Sequence, residues 1–226
     1  KAWARQVVDR YCERQTALVR KYNKDCTIFY NAGHIGPWIR SSLGQYTHLE
    51  LESLPTGGWG YDHFPLTVRY ARKLGLPYLG MTGKFQKSWA DFGGFKPQVA
   101  LEYDCFVALA HGARCSIGDQ LHPSGALDQA TYDLIEPVYA SVEAKEPWCE
   151  GAEPAVELAV VTPEALGLED GRVDPSARGA LRLLQEAHYQ FDVVDFDMPW
   201  DGYKLVVLPD KIVLNEAHAA KVRAFL

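Results

Sequence analysis

Residues 48–52 read His-Leu-Glu-Leu-Glu, so that two acids and a histidine alternate with two leucines. Side chains of a β-strand point alternately to opposite faces, so His48, Glu50 and Glu52 would share one face and the leucines the other. Carboxylates seldom face a protein interior unless they are paired or have a function. A glycine-rich loop carrying Trp59 and Tyr61 follows at once. We interpret this segment as the polar mouth of a sugar-binding cleft.

The chemistry open to two neighbouring carboxyl groups is general acid–base catalysis, and hydrolysis of a glycosidic bond needs such a pair. One group must donate a proton near neutral pH, so burial or a nearby negative charge must raise its pKa. On one strand face, Glu50 and Glu52 would have Cα atoms about 7 Å apart, close enough for repulsion to raise one pKa. We predict that one of them is the acid/base, without choosing between them. The alternative is that one binds a sugar hydroxyl or pairs with Lys84 or Arg114.

Further polar and aromatic side chains follow this and other predicted strands. The predicted substrate-binding residues are His34, His48, Trp59, Tyr61, Lys84, Trp89, Asp119, Gln120 and His122. Structural roles stay open for several of them, such as a capped surface loop at His34, a hydrogen bond behind the site at His48, and packing at the loop base for Trp59 and Tyr61. The spacing of histidines and acids matches no zinc motif, so no metal site is predicted.

Composition narrows the class of protein. The 226 residues are 47% apolar and 23% charged, as in ordinary globular proteins. The net charge of −6 argues against a nucleic-acid partner, and no apolar run approaches the length of a membrane span. Five widely spaced cysteines without a CxxC pair indicate reduced thiols. We therefore expect a cytoplasmic protein with no nucleic-acid or membrane partner.

Predicted strands alternate with predicted helices along the whole chain. The strands are 26–30, 47–54, 77–82, 114–118, 156–161, 191–195 and 205–208, and the helices are 2–22, 64–74, 98–111, 128–144, 176–188 and 215–226. Asp62 is predicted to cap the second helix and Gly75 to end it. This order is typical of an α/β fold with parallel strands, in which ligands bind at the carboxyl ends of the strands.

A Pro- and Gly-bearing stretch at 147–154 indicates a boundary between residues 1–150 and 151–226. The first region supplies four βα units, half of a closed eight-stranded barrel. The second supplies three strands, fewer than a full doubly wound domain, and its loops carry little obvious chemistry. We expect an accessory or assembly role for the second region and expect the chain to be a segment of a larger enzyme.

Several segments resemble known glycosidases. Residues 77–82 with Trp89, and 108–113 followed by 120–125, resemble the seventh- and eighth-strand segments of family 42 β-galactosidases, and the tail from about Ala155 is similar to their trimerisation domain. The closer resemblance, in 48–61 and in 82–85 with Trp89, is to a related group of hypothetical glycosyl hydrolases that includes bacterial α-L-fucosidases.

The resemblance implies that residues 1–150 form the C-terminal half of a (β/α)₈ TIM barrel. Residues 151–226 would then begin a flavodoxin-like trimerisation domain. It further implies an α-L-fucosidase-like hydrolase that acts on carbohydrate, uses no organic cofactor and forms homo-oligomers, trimers among them. Fucosidase-like barrels generally carry the nucleophilic carboxylate on strand four. By this resemblance strand four precedes residue 1, so the chain would hold the acid/base without the nucleophile.

Two alternatives stay open. The first is a β-galactosidase-like enzyme, although Thr82 stands where the family 42 enzymes carry their nucleophilic glutamate and cannot act as a carboxylate. The second is a non-catalytic carbohydrate-binding or oligomerisation fragment. A doubly wound protein of unrelated function would need a phosphate-binding glycine loop at a helix start, and the sequence shows none.

Overall fold

The computed structural model describes residues 2–167 and 173–226 and shows a mixed α/β protein with two small parallel sheets. The first part contains α1 (Ala2–Tyr22), a 3₁₀ helix (Pro37–Gln45), β1 (Leu49–Glu52), α2 (His63–Ala71) with a 3₁₀ turn (Arg72–Leu74), β2 (Tyr78–Gly83), α3 (Gln98–Ala110), β3 (Arg114–Gly118), α4 (Gln129–Glu143) and α5 (Glu146–Cys149). The second part contains β4 (Leu158–Val161), a 3₁₀ helix (Pro163–Leu166), α6 (Pro175–Glu186), β5 (Phe191–Val194), β6 (Leu205–Val207) and α7 (Glu216–Phe225).

The first sheet has the order β1-β2-β3, and both pairs are parallel. Its leucines 49 and 51 are fully buried. The same face packs on α2 and α3, because a Cβ added to Gly80 would meet the rings and methyl groups of Phe64 and Ala108. By strand alternation, Glu50 and Glu52 lie on the opposite face, as the sequence predicted.

The predicted strand at 26–30 is wrong. These residues are extended but belong to no sheet within the described ranges. The backbone N–H of Thr47 donates to the carbonyl of Ile28 (2.8 Å), but the Thr47 hydroxyl accepts from the Ile28 N–H (2.7 Å). A side chain therefore occupies the place of a ladder partner, and β1 is an edge of the described sheet.

The second sheet has the order β5-β4-β6, also all parallel. Its helices begin with side-chain caps. The carboxylate of Asp174 accepts from the N–H groups of Ser176 and Ala177 at the start of α6, and Asn215 accepts from the N–H of His218 at the start of α7. These two helices match the predicted ones to within two residues.

One hydrophobic core runs through both sheets. It includes Leu49 and Phe64 from the first part and Val160 and Phe191 from the second. All nine residues of α2 are buried, because the helix packs on β1 on one side and on β5 on the other. The two parts therefore share a core through α2.

Polar contacts fasten α2 and its 3₁₀ turn to β5. Arg72 pairs with Asp192 (2.6 Å), and the Tyr70 hydroxyl donates to Asp195 (2.7 Å). Burial lowers the pKa of Arg69 to about 9, and its guanidinium lies 4.2 Å from the centre of the Phe191 ring. Within the described residues no helix combines the length and apolar character that crossing a bilayer requires.

Candidate functional site

Glu50 is half-buried on the open face of the first sheet. Burial raises the pKa of its carboxyl group, His48 lowers it by charge attraction, and repulsion from Glu52 raises it further. The net shift is upward. The sequence analysis expected one of the two glutamates to have a raised pKa. For Glu50, burial is the larger cause of the rise and the neighbouring carboxylate the smaller. A carboxyl group whose pKa is raised is better suited to act as a general acid than one with an ordinary pKa.

His48 lies beside Glu50 on the same face. Its Nε2 is 3.9 Å from Glu50 Oε1, and its Nδ1 is 3.1 Å from the hydroxyl of Thr47. The imidazole also packs against Phe29, with ring centres 5.2 Å apart. These contacts fit a residue that orients Glu50 from behind, the alternative left open for it above.

Glu52 lies close to the indole of Trp59. A Cβ added to Gly33 would stand 2.5 Å from Trp59 Cη2 and 3.3 Å from Glu52 Oε2. The bare backbone of Gly33 thus leaves the space that the indole occupies beside the carboxyl group. Any side chain at position 33 would displace the ring.

His34 is joined to His63, a residue that sequence reasoning did not single out. His34 Nδ1 lies 3.1 Å from His63 Nε2, and the Trp59 ring meets the His63 ring edge-to-face with centres 4.7 Å apart. The other nitrogen of His34 lies 2.9 Å from Glu164 of the second part. His34 is therefore held in a hydrogen-bonded cluster. The signal for His63 was its place directly after Asp62, at the start of a helix that follows the glycine-rich loop.

Asp62 occupies the N-cap position of α2, but its side chain makes no capping hydrogen bond. The carboxylate instead accepts from Arg182 (2.8 Å) and lies 3.4 Å from Nε of Arg178, both on α6. The predicted capping function is therefore wrong, because two guanidinium groups compete for the same carboxylate. Asp62 fastens the glycine-rich loop to the second part of the chain.

Tyr61 lies on the helix-facing side of the sheet, apart from Glu50. Its ring packs on Tyr103 of α3, and both line a small cleft with Thr82 and Asp104. The Thr82 hydroxyl donates to Asp104 (2.7 Å), so this side chain also points toward α3. The location of Tyr61 gives no support to a substrate contact beside the two glutamates.

Lys84 and Asp119 meet beyond the ends of β2 and β3. The ammonium of Lys84 donates to the carbonyl of Phe92 (3.2 Å), lies 3.8 Å from Asp119 Oδ1 and stands 4.6 Å from the centre of the Phe95 ring. Lys84 is almost fully buried, whereas Asp119 is partly exposed. The pair forms a polar floor next to aromatic rings, an arrangement that can bind a hydroxylated ligand.

Trp89 covers the end of β3. A Cβ added to Gly118 would stand 2.8 Å from Trp89 Cη2, and Gln120 Nε2 donates to the Trp89 carbonyl (2.7 Å). His122 is exposed and bonds Ser124, with its ring centre 6.3 Å from that of Phe92. Trp89 and Gln120 are thus tied together, while His122 lies at the periphery.

Contacts between the loop after β1 and the loop after β2 connect the residues around Glu52 with those around Lys84. The Thr56 hydroxyl donates to the carbonyl of Gln86 (2.6 Å), and a Cβ at Gly57 would stand 2.4 Å from the carbonyl oxygen of Lys87. Since the carboxyl ends of parallel strands meet at one edge of a sheet, Glu52 and Lys84 face the same edge. Within the described residues, no group of three or more His, Cys, Asp or Glu side chains could hold a metal ion.

Comparison with known proteins shows a strong similarity to a solved structure. No protein-family model and no curated protein sequence matches the chain. Among solved structures, the chain is similar to the alpha-L-fucosidase isoenzyme 2 from Paenibacillus thiaminolyticus, with 47% sequence identity and a TM-score of 0.94. The similarity covers 99% of this chain and 34% of the fucosidase chain. The chain is thus similar, over nearly its whole length, to about a third of that fucosidase.

Proposed function

We propose that this chain is part of an α-L-fucosidase-like glycoside hydrolase. The observation that carries the proposal is the 47% identity, over 99% of the chain, to a structure named as an alpha-L-fucosidase. The geometry supports it independently. Two carboxyl groups lie on the open face of a parallel sheet, and the pKa of one of them, Glu50, is raised by burial.

The fold we propose is the C-terminal half of a (β/α)₈ barrel over residues 1–150, followed by the start of a flavodoxin-like trimerisation domain over residues 151–226. Two features support the barrel. The strands of the first sheet are all parallel, and α2 and α3 pack on the face opposite to Glu50 and Glu52. In a barrel the other face would point inward, with the active site at the carboxyl ends of the strands.

In the mechanism we propose, Glu50 or Glu52 protonates the leaving-group oxygen and later activates water, while the nucleophile is a carboxylate outside these 226 residues. Burial favours Glu50, since it raises the pKa of that acid. Proximity to an aromatic ring favours Glu52, since the edge of the Trp59 indole lies beside its carboxyl group. Trp59 and Trp89 would stack on sugar rings, and Lys84 with Asp119 would bind sugar hydroxyls.

The complete protein is proposed to act on carbohydrate as a cytoplasmic homo-oligomer, with a trimer as one form. Cysteine usage supports the cytoplasm, because Cys12, Cys26, Cys105, Cys115 and Cys149 are all free thiols. Cytosolic reductants keep such thiols reduced. The trimer is proposed from the resemblance of residues 151–226 to a trimerisation domain and is tested by the mass of the protein in solution.

The activity is tested by assaying the complete protein that carries these residues on 4-nitrophenyl α-L-fucoside and 4-nitrophenyl β-D-galactoside. Turnover of the fucoside alone is the expected result. Turnover of the galactoside alone would replace the fucosidase with the β-galactosidase-like alternative. Failure to hydrolyse any glycoside would leave the non-catalytic carbohydrate-binding alternative.

The acid/base is identified by comparing Glu50→Gln and Glu52→Gln on two substrates. On an unactivated fucosyl disaccharide, the variant that lacks the acid should lose about 10²–10⁴-fold in rate. On the nitrophenyl fucoside, the same variant should lose far less in the rate of the glycosylation step, because nitrophenolate departs without being protonated. The other variant should lose equally on both substrates. Glu157→Gln, at an exposed carboxylate of the second part, is the matched control.

A further inference from the structure

A chain of hydrogen bonds joins the second part of the molecule to the end of β1. Glu164 lies on the 3₁₀ helix Pro163–Leu166, and both of its carboxylate oxygens lie within 3.0 Å of His34 Nε2. His34 Nδ1 lies 3.1 Å from His63 Nε2, and His63 Nδ1 lies 3.3 Å from the Ser53 hydroxyl. The contacts are shielded from water, because His63 and Ser53 are buried and the other two side chains are at most about one-fifth exposed.

The direction of each bond follows from the chemistry of the partners when Glu164 is ionised and His34 is neutral. An ionised carboxylate only accepts, so His34 Nε2 must carry a proton and donate to Glu164. A neutral His34 then has a bare Nδ1, which must accept from Nε2–H of His63. The Nδ1 of His63 is bare in turn and accepts from the hydroxyl of Ser53. In that protonation state one carboxylate sets the tautomers of two successive imidazoles.

The end of this chain reaches the candidate site. The His63 ring packs edge-to-face on Trp59, with centres 4.7 Å apart. The far edge of that indole lies beside Glu52, over the bare backbone of Gly33. The wall of the cleft next to Glu52 therefore rests on an imidazole whose orientation depends on a residue about one hundred positions further along the chain.

We propose that Glu164 is a positioning residue of the glycosidase site, acting through His34 and His63 to hold Trp59 in place beside Glu52. This inference rests on the proposed function, because it assigns Trp59 to the sugar-binding wall. Glu164 itself touches no substrate. It makes the second part of the chain a contributor to the site, where sequence analysis assigned only an accessory or assembly role.

The first test is spectroscopic and needs no activity. With ¹⁵N-labelled histidine in the complete protein, His34 and His63 should both show the tautomer protonated at Nε2. Glu164→Ala removes the acceptor, so His34 should populate the tautomer protonated at Nδ1 and the resonances of His63 should shift. Glu164→Gln keeps an acceptor oxygen and should restore the wild-type tautomers.

The second test is kinetic. Glu164→Ala should lower kcat/KM for an α-L-fucoside about tenfold, with most of the loss in KM, because a stacking wall acts on bound sugar. Glu164→Gln should recover most of that loss. The matched control is Arg40→Gln, which breaks another contact between the two parts, 3.3 Å from Arg40 to Asp195, without touching the histidines. It should leave both the tautomers and KM unchanged.

The outcomes separate the two proposals. Wild-type protein that hydrolyses no glycoside ends the proposed function, and with it the positioning role of Glu164. Unchanged tautomers in Glu164→Ala overturn the positioning role while leaving the hydrolase intact. An equal loss of kcat/KM in Arg40→Gln would also overturn it, since the effect would then come from docking of the two parts rather than from the histidines.

Discussion

Burial has different consequences for the carboxyl group of Glu50 on β1 and for that of Asp192 on β5. Asp192 on β5 pairs with Arg72 at 2.6 Å and accepts from the hydroxyl of Tyr203 at 2.6 Å. Glu50 on β1 lies 3.9 Å from Nε2 of His48, and burial raises the pKa of its carboxyl group. The same chemical group therefore holds the fold together where donors surround it. Where fewer donors surround it, as at Glu50, burial raises its pKa.

Asp174 shows that burial alone does not decide this outcome. Burial acts to raise the pKa of its carboxyl group, but hydrogen bonds from Ser176, Lys211 and the N–H of Ala177 lower the pKa overall. The number of donors, more than the depth of burial, thus separates a structural acid from a candidate catalytic one. The predictions below test that rule, beginning with the largest change in stability.

Removing a fully satisfied acid should cost most. Asp195 accepts from the Tyr70 hydroxyl at 2.7 Å and from the N–H groups of Asp197 and Met198, and lies 3.3 Å from Arg40. Asp195→Ala leaves these donors without an acceptor and should lower the free energy of unfolding by about 3–5 kcal/mol. Chemical denaturation measures it. Asp197→Ala, at an exposed neighbour, should change little, and an equal loss there would contradict the prediction.

The helix-facing side of the first sheet should behave like the second part. Lys96 is buried and donates to Asp104 at 2.6 Å and to Thr82 at 2.5 Å. Asp104→Asn removes the charge but keeps the shape, so the free energy of unfolding should fall by about 1.5–3 kcal/mol. Glu102→Gln on the same helix is the control. If Asp104→Asn lowers the free energy of unfolding no more than the control does, the buried Lys96–Asp104 pair does not stabilise the fold.

The pH dependence should have opposite signs in the two regions. The lowered pKa of Asp174 stabilises the protein above the ordinary value of 3.8, and this contribution is lost as the pH falls through the folded-state pKa. The raised pKa of Glu50 instead destabilises it as the pH rises from the ordinary value of 4.5 through the folded-state pKa. Asp174→Asn should therefore be less stable than wild type at neutral pH and Glu50→Gln slightly more stable.

Both differences in the free energy of unfolding should shrink toward zero in acid. Thermal or chemical unfolding at a series of pH values measures them. A Glu50→Gln variant that loses stability at neutral pH would show that Glu50 is a structural acid like those of β5.

The smallest effect should come from an exposed ion pair. Lys204 lies 2.5 Å from Glu157, but the two side chains are 73% and 58% exposed. Lys204→Ala should change the free energy of unfolding by about 0–1 kcal/mol, and salt should reduce the effect further. A larger change would mean that the distance between the charges, rather than their burial, determines how much such a pair contributes to stability.

Much of this fold was predictable because local signals were strong. The alternation of leucines and acids predicted which face of β1 is buried, and Gly75 ends the turn after α2 with φ of 76°, as predicted. The helix 215–226 agrees with α7, which spans Glu216–Phe225. Each of these features depends on neighbours only a few residues away.

The features that the sequence did not predict depend on residues far away along the chain. The run 26–30 has strand-like composition, but the Thr47 hydroxyl takes the place of a ladder partner. Asp62 follows the pattern of a helix cap, but arginines about 120 residues away bind it. His63 and Glu164 could not be linked from sequence, because nothing local indicates that His34 lies between them. Five of the 11 predicted site residues follow the neighbouring ends of the parallel strands β2 and β3, namely Lys84, Trp89, Asp119, Gln120 and His122.

The complete burial of α2 limits how a ligand could enter at the edge of the sheet that holds Glu52. A helix with no side in water, packed on β1 and β5 together, cannot swing aside without exposing core side chains from both sheets. The segment that precedes α2 is less constrained, because a Cβ added at Gly58 or Gly60 would meet no neighbour within 4 Å. In the proposed hydrolase, Gly58→Ala would stiffen this segment and should slow the exchange of sugar at the neighbouring site.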